Sequence, residues 1–96
     1  MSDIRFEWDR AKAEANRRKH GIPFEAAVAV FDDPNQISEP DRVEDGEQRW
    51  WTIGLVEGFV LLFVAHTWRE AEEVEIVRII SARRATKAER KRYAEG

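Results

Sequence analysis

Residues 48–82 read QRWWTIGLVEGFVLLFVAHTWREAEEVEIVRIISA. Two apolar runs flank Glu57-Gly58, and a glycine-containing pair between such runs is typical of a two-residue hairpin turn. A third run follows after a polar break and is rich in β-branched residues, which favour strands. The stretch therefore predicts three consecutive antiparallel strands at 48–56, 59–67 and 74–82.

The chain ahead of these strands begins with a strand and a helix. Ile4–Trp8 alternates apolar and polar residues, which indicates a short strand. Asp9 suits the N-cap of a helix that runs through Lys19, and Gly21 can adopt the left-handed conformation that ends it. The pattern predicts that this helix packs through a narrow stripe formed by Ala11 and Ala15.

A second helix is predicted to begin at Pro23, where the missing N–H costs nothing. Asp33-Pro34 stops this helix, because the residue before a proline disfavours helical backbone. The i, i+3, i+4, i+7 spacing places four apolar side chains on one face. They are Phe24, Ala27, Val28 and Phe31.

The remaining segments complete one α+β domain over residues 1–96. Residues 35–47 are polar and acidic and are predicted to form a loop, with at most a short edge strand around Ile37. Thr86-Lys87-Ala88-Glu89 is a capping box that opens a basic terminal helix. We expect an antiparallel sheet of three to four strands packed with helices.

The amino-acid composition limits the kinds of reactive site that the chain can form. The chain has no cysteine and only two histidines, His20 and His66. Disulfides and thiolate metal sites are excluded, and we predict a reaction without metal or cofactor. The start lacks the pattern of a secretory signal, and the apolar run 59–65 is too short to span a membrane. A cytoplasmic location without membrane contact is the resulting expectation.

Charge is distributed unevenly along the chain, although its net value is only −3. Residues 77–96 contain seven Arg or Lys against two Glu, and residues 10–20 contain five against one. Residues 32–47 carry seven acids and one Arg. This polarity permits a basic face for a polyanion, although charge alone favours the simpler interpretation that the helices are solvated.

His66 and the arginines that follow it are the residues best suited to chemistry. An imidazole among guanidiniums could take a 2'-OH proton while the arginines hold a phosphate. Pairing of the strands on either side of 68–73 can bring Arg78 close to His66. Each residue also has a structural explanation. His66 could be hydrogen-bonded to backbone, and Arg78 could form a salt bridge with Glu47, Glu75 or Asp9.

Other polar and aromatic residues are weaker candidates. His20 at a helix C-terminus is explained as a favourable partner of the helix dipole, while Lys19 beside it could contact RNA. Among Trp50, Trp51 and Trp68, at least one is expected in the core, and an exposed one could stack on a base. Tyr93 is expected to pack its ring rather than to transfer protons.

Motifs along most of the chain resemble the BrnT family of toxins, which is similar to the RelE group of ribonuclease toxins. The most specific is Arg78-Ile79-Ile80-Ser81-Ala82-Arg83-Arg84-Ala85, followed by Glu89 and Tyr93. The other matching pieces are Phe6-Glu7-Trp8-Asp9, Lys12-Ala13, Asn16, Lys19-His20-Gly21, Phe24-Glu25-Ala26-Ala27, Val30-Phe31-Asp32, Glu47, Arg49, Gly54 and His66-Thr67-Trp68-Arg69.

The resemblance implies a RelE-like ribonuclease fold and a type II toxin that cleaves RNA without metal to inhibit translation and growth. It also implies a BrnA-type ribbon-helix-helix antitoxin, through which alone the complex would contact operator DNA. The alternative is a non-enzymatic protein-binding module that acts as a co-repressor. Carried over by position, the candidate catalytic residues are His66, Arg69, Arg78 and Arg83, and the candidate RNA-binding residues are Lys19, Arg84 and Lys87.

Overall fold

The computed structural model describes residues 3–58 and 60–96. Within these ranges the strands are β1 (Asp3–Trp8), β2 (Ile37–Glu44), β3 (Glu47–Val56), β4 (Val60–Ala71) and β5 (Val74–Arg84). The α-helices are α1 (Arg10–His20), α2 (Phe24–Val28) and α3 (Lys87–Glu95), and a 3₁₀ turn, Ala29–Asp32, continues α2. The α+β class predicted from the sequence is confirmed.

The strands form one mixed sheet in the order β1-β5-β4-β3-β2. The expectation of three to four antiparallel strands is wrong in two respects. The acidic segment predicted as a loop forms β2, which tolerates polar residues because it is an edge strand and shifts register between Pro40 and Val43. β1 pairs in parallel with β5, a direction that side-chain alternation does not encode.

The hairpins largely follow the prediction, but their strands are longer. Glu57 and Gly58 both adopt positive φ, 55° and 74°, in the turn between β3 and β4. β4 continues to Ala71 and β5 to Arg84, so that the predicted loop 68–73 shrinks to a turn at Glu72-Glu73. The predicted start of β4 at Phe59 lies outside the described residues.

Helix ends are set by the residues that the sequence singled out. The Asp9 carboxylate accepts hydrogen bonds from the backbone N–H groups of Ala11 and Lys12, and Gly21 ends α1 with φ 72°. The capping box of α3 is complete, because Thr86 accepts from the Glu89 N–H and the Glu89 carboxylate accepts from the Thr86 N–H. The predicted caps of these two helices are confirmed.

Both α1 and α2 pack on the same side of the sheet, which we call the helix face. Its core contains Phe24, Ala27 and Val30 against strand residues such as Leu62 and Ile79. Val30 joins this core because the 3₁₀ turn rotates it inward, whereas the predicted Val28 and Phe31 are only partly buried. Pro23 is the N-cap of α2 rather than its first helical residue.

The predicted packing stripe of α1 is wrong, because Ala11 and Ala15 are exposed. The helix instead turns Ala13 and Asn16 toward the sheet. Asn16 is buried because its amide donates to the carbonyls of Ile22 and Ala82 and accepts from the Ala82 N–H. A polar residue that hydrogen-bonds to three backbone groups can thus take the buried side of a helix, where the apolar pattern predicts alanines.

The other side of the sheet is the open face, and only part of it is covered. α3 lies there over Trp51, Ile53 and Phe63, near the end where β3 and β4 join. The Tyr93 hydroxyl fixes α3 by donating to Asp33 at 2.6 Å. Among the described residues, none of the helices combines the length and apolar composition needed to cross a membrane.

Candidate functional site

A row of polar side chains crosses the open face where α3 does not cover it. Arg49 of β3 pairs with Thr67 of β4, Thr67 pairs with Arg78 of β5, and Arg78 pairs with Glu7 of β1. Directly paired residues project on the same side of a sheet. Arg69, two residues beyond Thr67 on β4, projects on this side as well.

Four arginines of the open face lie 2.6 to 3.6 Å from a carboxylate oxygen, namely Arg49, Arg69, Arg78 and Arg83. Arg78 donates to Glu47 at 2.6 Å, and both side chains remain partly exposed. Arg69 contacts Glu7 at 3.4 Å. Exposed ion pairs of this kind stabilise a fold by only about 0–1 kcal/mol, so that a phosphate can replace the carboxylate at low cost. These arginines are therefore positioned for an anionic ligand without being free cations.

Arg49 is the least exposed of these arginines, with 17% of its side chain accessible. One of its terminal nitrogens lies 3.6 Å from Glu44, and its buried Nε has no hydrogen-bond partner among the described residues. A buried donor left without an acceptor costs about 1–3 kcal/mol. The side chain is held on the open face despite that cost, as is common for residues retained for function.

Arg83 lies on the open face where α3 begins. Its two terminal nitrogens donate to the two carboxylate oxygens of Glu89, at 2.7 and 2.9 Å, and its guanidinium stacks on Phe63. The hydrogen bond that Arg83 donates to Glu89 raises the pKa of Arg83, and the same bond lowers the pKa of Glu89. Arg83 therefore anchors α3 in addition to any contact it makes with a ligand.

Between the cross-strand rows that contain Arg78 and Arg83 lies a row with two small side chains and one tryptophan. The row between them contains Trp51, Ala65 and Ser81. Ala65 and Ser81 have short side chains, while Trp51 stacks on Phe63 at one side. A single-stranded RNA segment can lie against the sheet there, with a guanidinium on either side of it and an aromatic ring beside it.

His66 occupies the other side of the sheet. It pairs with Trp50 and Ile79, packs edge-on against Phe31 and is only 1% exposed. A register shift between Ala65 and His66 places Arg78 opposite Thr67 on the open face, whereas the unshifted register would place it opposite Trp68. The predicted proximity of Arg78 to His66 holds along the strand, but the backbone of the sheet separates the two side chains.

Both ring nitrogens of His66 have partners. Nδ1 lies 3.1 Å from the Thr67 carbonyl, which only accepts, so Nδ1 carries the proton. Nε2 then accepts from the Thr52 hydroxyl at 2.8 Å, and that hydroxyl accepts from Ser38 at 2.6 Å. This arrangement corresponds to the structural explanation of His66, since no lone pair is left for a substrate.

Burial lowers the pKa of His66, and the hydrogen bond to the Thr67 carbonyl opposes this effect only in part. The folded protein thus keeps the ring neutral at a pH where the unfolded chain, with a pKa near 6.5, binds a proton. His66 contributes full stability above that value and loses it as the pH falls toward its folded pKa.

We therefore expect the free energy of unfolding to decrease between about pH 7.5 and pH 5.5. Urea titrations of wild type and His66→Asn at several pH values measure this dependence. His20 is present in both proteins, so the slope that the variant loses belongs to His66. Equal slopes would contradict the buried, neutral imidazole.

The other candidate residues do not share the open-face row. Lys19 is exposed in the last turn of α1, which packs on the helix face. Arg84 pairs with Leu62 on the helix-face side, and Lys87 is exposed at the start of α3. Among the RNA-binding candidates, only Lys87 lies on an element of the open face. Tyr93 is bound to Asp33, a bond that raises the pKa of the phenol to about 12.

Glu47 stands out in the structure, although from the sequence it was a possible salt-bridge partner of Arg78 and a matching family residue rather than a candidate site residue. It is the partly exposed carboxylate closest to Arg78. Alternation along β3 places Glu47, Arg49 and Trp51 on one side, which is the signal that could have placed Glu47 in the site. Among the described residues, no group of three or more His, Cys, Asp or Glu is arranged to hold a metal ion. Independence from metal remains a prediction.

Comparison with known proteins identifies the relatives of this fold. The crystal structure of the Brucella abortus ribonuclease toxin BrnT is similar, with a TM-score of 0.60 and 20% sequence identity, over 90% of this chain and 100% of that one. No curated protein gives a significant sequence match. A family model described as the ribonuclease toxin BrnT of type II toxin–antitoxin systems matches residues 8–89. The match covers most of the chain, which belongs to the BrnT family of type II ribonuclease toxins.

Proposed function

We propose that this toxin is a metal-independent endoribonuclease that cleaves RNA on the open face of its sheet and thereby inhibits translation in the cytoplasm. The observation that supports this proposal most strongly is the row Arg49–Thr67–Arg78, with Glu47 only 2.6 Å from Arg78. It combines guanidinium cations with a partly exposed carboxylate. RNA cleavage needs a base and positive charge beside the phosphate, and these groups can supply both.

In this proposal Arg69, Arg78 and Arg83 bind the RNA backbone. Guanidinium donors at Arg78 contact the scissile phosphate and stabilise the charge that develops on it. The 2'-oxygen attacks the phosphorus while its proton is taken by a base, and the bond to the 5'-oxygen breaks as that oxygen gains a proton. The products are a 2',3'-cyclic phosphate and a 5'-hydroxyl end.

Two residues are candidates for the base. His66 was the candidate that the sequence favoured, but its Nε2 already accepts from Thr52 on the helix face. Glu47 lies on the open face beside Arg78, and we propose it as the base, with His66 in a structural role. The variants Glu47→Gln and His66→Asn separate these roles. We expect the first to reduce cleavage by about 10²-fold or more, and the second to retain most activity in the folded fraction.

Purified toxin incubated with end-labelled RNA in EDTA tests the proposed chemistry. We expect cleavage in EDTA at the rate seen with Mg²⁺, with products that carry cyclic phosphates. Loss of cleavage in EDTA would overturn metal independence. Absence of cleavage under both conditions, by protein that is folded and free of antitoxin, would favour the non-enzymatic co-repressor.

We further propose that the antitoxin is of the BrnA type, a ribbon-helix-helix protein through which the complex contacts operator DNA. The family supports a type II antitoxin in general terms. The chain's net charge of −3 supports the assignment of DNA contact to the partner. A relation to the RelE group is part of the same proposal. It is supported by the α+β sheet whose uncovered face carries the arginines.

A further inference from the structure

The helix face has an uncovered patch near the turn between β4 and β5. A cavity of about 160 Å³ opens there between Ile4, Phe31 and Trp68. Its other lining residues are Val77 and the polar Gln36, Ser38 and His66. The described part of the chain has three large apolar side chains that are exposed, and two of them, Ile4 (47%) and Trp68 (44%), border this cavity. Clustered exposed apolar residues around a cavity are typical of a protein-binding surface.

The charges beside this cavity have one sign. Glu70 of β4 and Glu75 of β5 face each other directly across the strands, and Ile4 pairs with Glu75. Like charges in directly opposed positions destabilise a sheet. On this side of the described β1, β4 and β5, the residues from the Ile79 level to the turn include no Lys or Arg that could offset them.

One bound ligand can offset both the repulsion between Glu70 and Glu75 and the exposed apolar area of Ile4 and Trp68. A ligand with an apolar side chain for the cavity and cations for the two glutamates would relieve both. A nucleic acid does not fit this description, because its phosphates would be repelled by Glu70 and Glu75. A basic amphipathic protein segment does fit it. The family supplies one protein partner, the antitoxin.

We propose that the patch formed by Ile4, Trp68, Glu70, Glu75 and the adjoining cavity binds a basic amphipathic segment of the antitoxin. One apolar side chain of that segment enters the cavity, and its Lys or Arg residues pair with the glutamates. The inference uses the antitoxin that the family implies, and it is independent of the chemistry proposed for the open face. A segment bound at this patch lies on the side of the sheet opposite the arginine row, so the patch itself serves recognition.

Two synthetic peptides of one amphipathic pattern probe the chemistry of the patch, one made of leucine and lysine and the other of leucine and glutamate. Amide chemical shifts of the wild-type toxin report where each peptide binds. We expect only the lysine peptide to bind and to shift residues around Ile4, Phe31 and Val77. Binding of both peptides alike, failure of the lysine peptide to bind, or shifts confined to the open face would overturn the proposal.

Variants of the patch provide the matched comparison. Trp68→Ala and Glu70→Lys should each weaken binding of the lysine peptide at least about tenfold, whereas Glu14→Lys on the exposed side of α1 should leave it unchanged. Glu70→Gln should also raise the urea midpoint of the free toxin, because it removes the opposed charges. Unchanged peptide binding by both patch variants would contradict the inference.

RNA cleavage measured on the same proteins separates this inference from the proposed function. Trp68→Ala and Glu70→Lys should cleave at the wild-type rate, since both side chains project away from the arginine row. If the wild type binds the peptide as expected and cleaves no RNA, the ribonuclease proposal fails and the docking patch stands. If it cleaves RNA and does not bind the peptide, the opposite conclusion follows.

Discussion

Replacing Arg78 by alanine is expected to lower the rate of RNA cleavage by about 10²–10³-fold, the usual loss when one donor to a developing oxyanion is removed. Arg78 is the best single test because it lies in the middle of the cross-strand row and its one ion pair, with Glu47, is partly exposed. The fold should survive, since such a pair contributes about 0–1 kcal/mol. Single-turnover cleavage of a labelled RNA measures the loss.

Arg18→Ala is the matched control for this variant. Arg18 is exposed on α1, on the other side of the sheet, and the substitution removes the same charge and volume. We expect its cleavage rate to stay within about twofold of wild type, because distant surface cations contribute only through screened attraction. Equal losses in Arg18→Ala and Arg78→Ala would reduce the role of Arg78 to general electrostatic attraction.

Arg83 is a less informative position for the same experiment. Its bidentate pair with Glu89 and its stacking on Phe63 hold the start of α3. Arg83→Ala should therefore lower both cleavage and thermal stability, and the two effects would have to be separated. Arg78 carries no comparable structural task in the described part of the chain.

Asn16→Ala is expected to produce the largest loss of stability, about 2–4 kcal/mol, because it leaves buried backbone groups of Ala82 and Ile22 without partners. The Asn16 amide joins the backbone of Ile22 to that of Ala82 through hydrogen bonds of 2.8 to 3.0 Å. It connects α1 and the segment before α2 to β5. The free energy of unfolding from urea titration measures the loss.

Two further variants show whether the hydrogen bonds are responsible. Asn16→Asp has almost the same volume but replaces the donor with an oxygen that faces the carbonyls of Ile22 and Ala82, so it should be at least as destabilising. Asn35→Ala, at an exposed position, should change the free energy of unfolding by less than about 0.5 kcal/mol. A loss below about 1 kcal/mol for Asn16→Ala would mean that water or local rearrangement replaces the amide.

Much of the fold is encoded locally and was therefore predictable. The turn at Glu57-Gly58, the Asp9 cap, the Gly21 terminus and the Thr86–Glu89 box each depend on residues within a few positions of one another. What could not be predicted depends on distant partners. The edge strand β2 has an acidic sequence that reads as a loop until β3 is available to pair with it.

The sequence indicated three arginines that lie on the open face, Arg69, Arg78 and Arg83, but not the side of the sheet on which each candidate lies. The sequence grouped His66 with Arg69, Arg78 and Arg83 because they are close along the chain. In a strand, neighbouring residues project in opposite directions, and the register shift at Ala65/His66 fixes which of them share a side. Glu47 was undervalued for the same reason, since its proximity to Arg78 comes from pairing across three strands.

Titration with a short RNA that carries 2'-O-methyl groups, and so cannot be cleaved, is the most direct test of the open face as the catalytic surface. Chemical shifts of backbone amides and arginine side chains locate the bound RNA. We expect changes at Arg49, Thr67, Arg78 and Ser81, with little change at Ile4 or Trp68. Changes confined to the helix face around Phe31, His66 and Trp68, with the arginine row unaffected, would contradict this expectation.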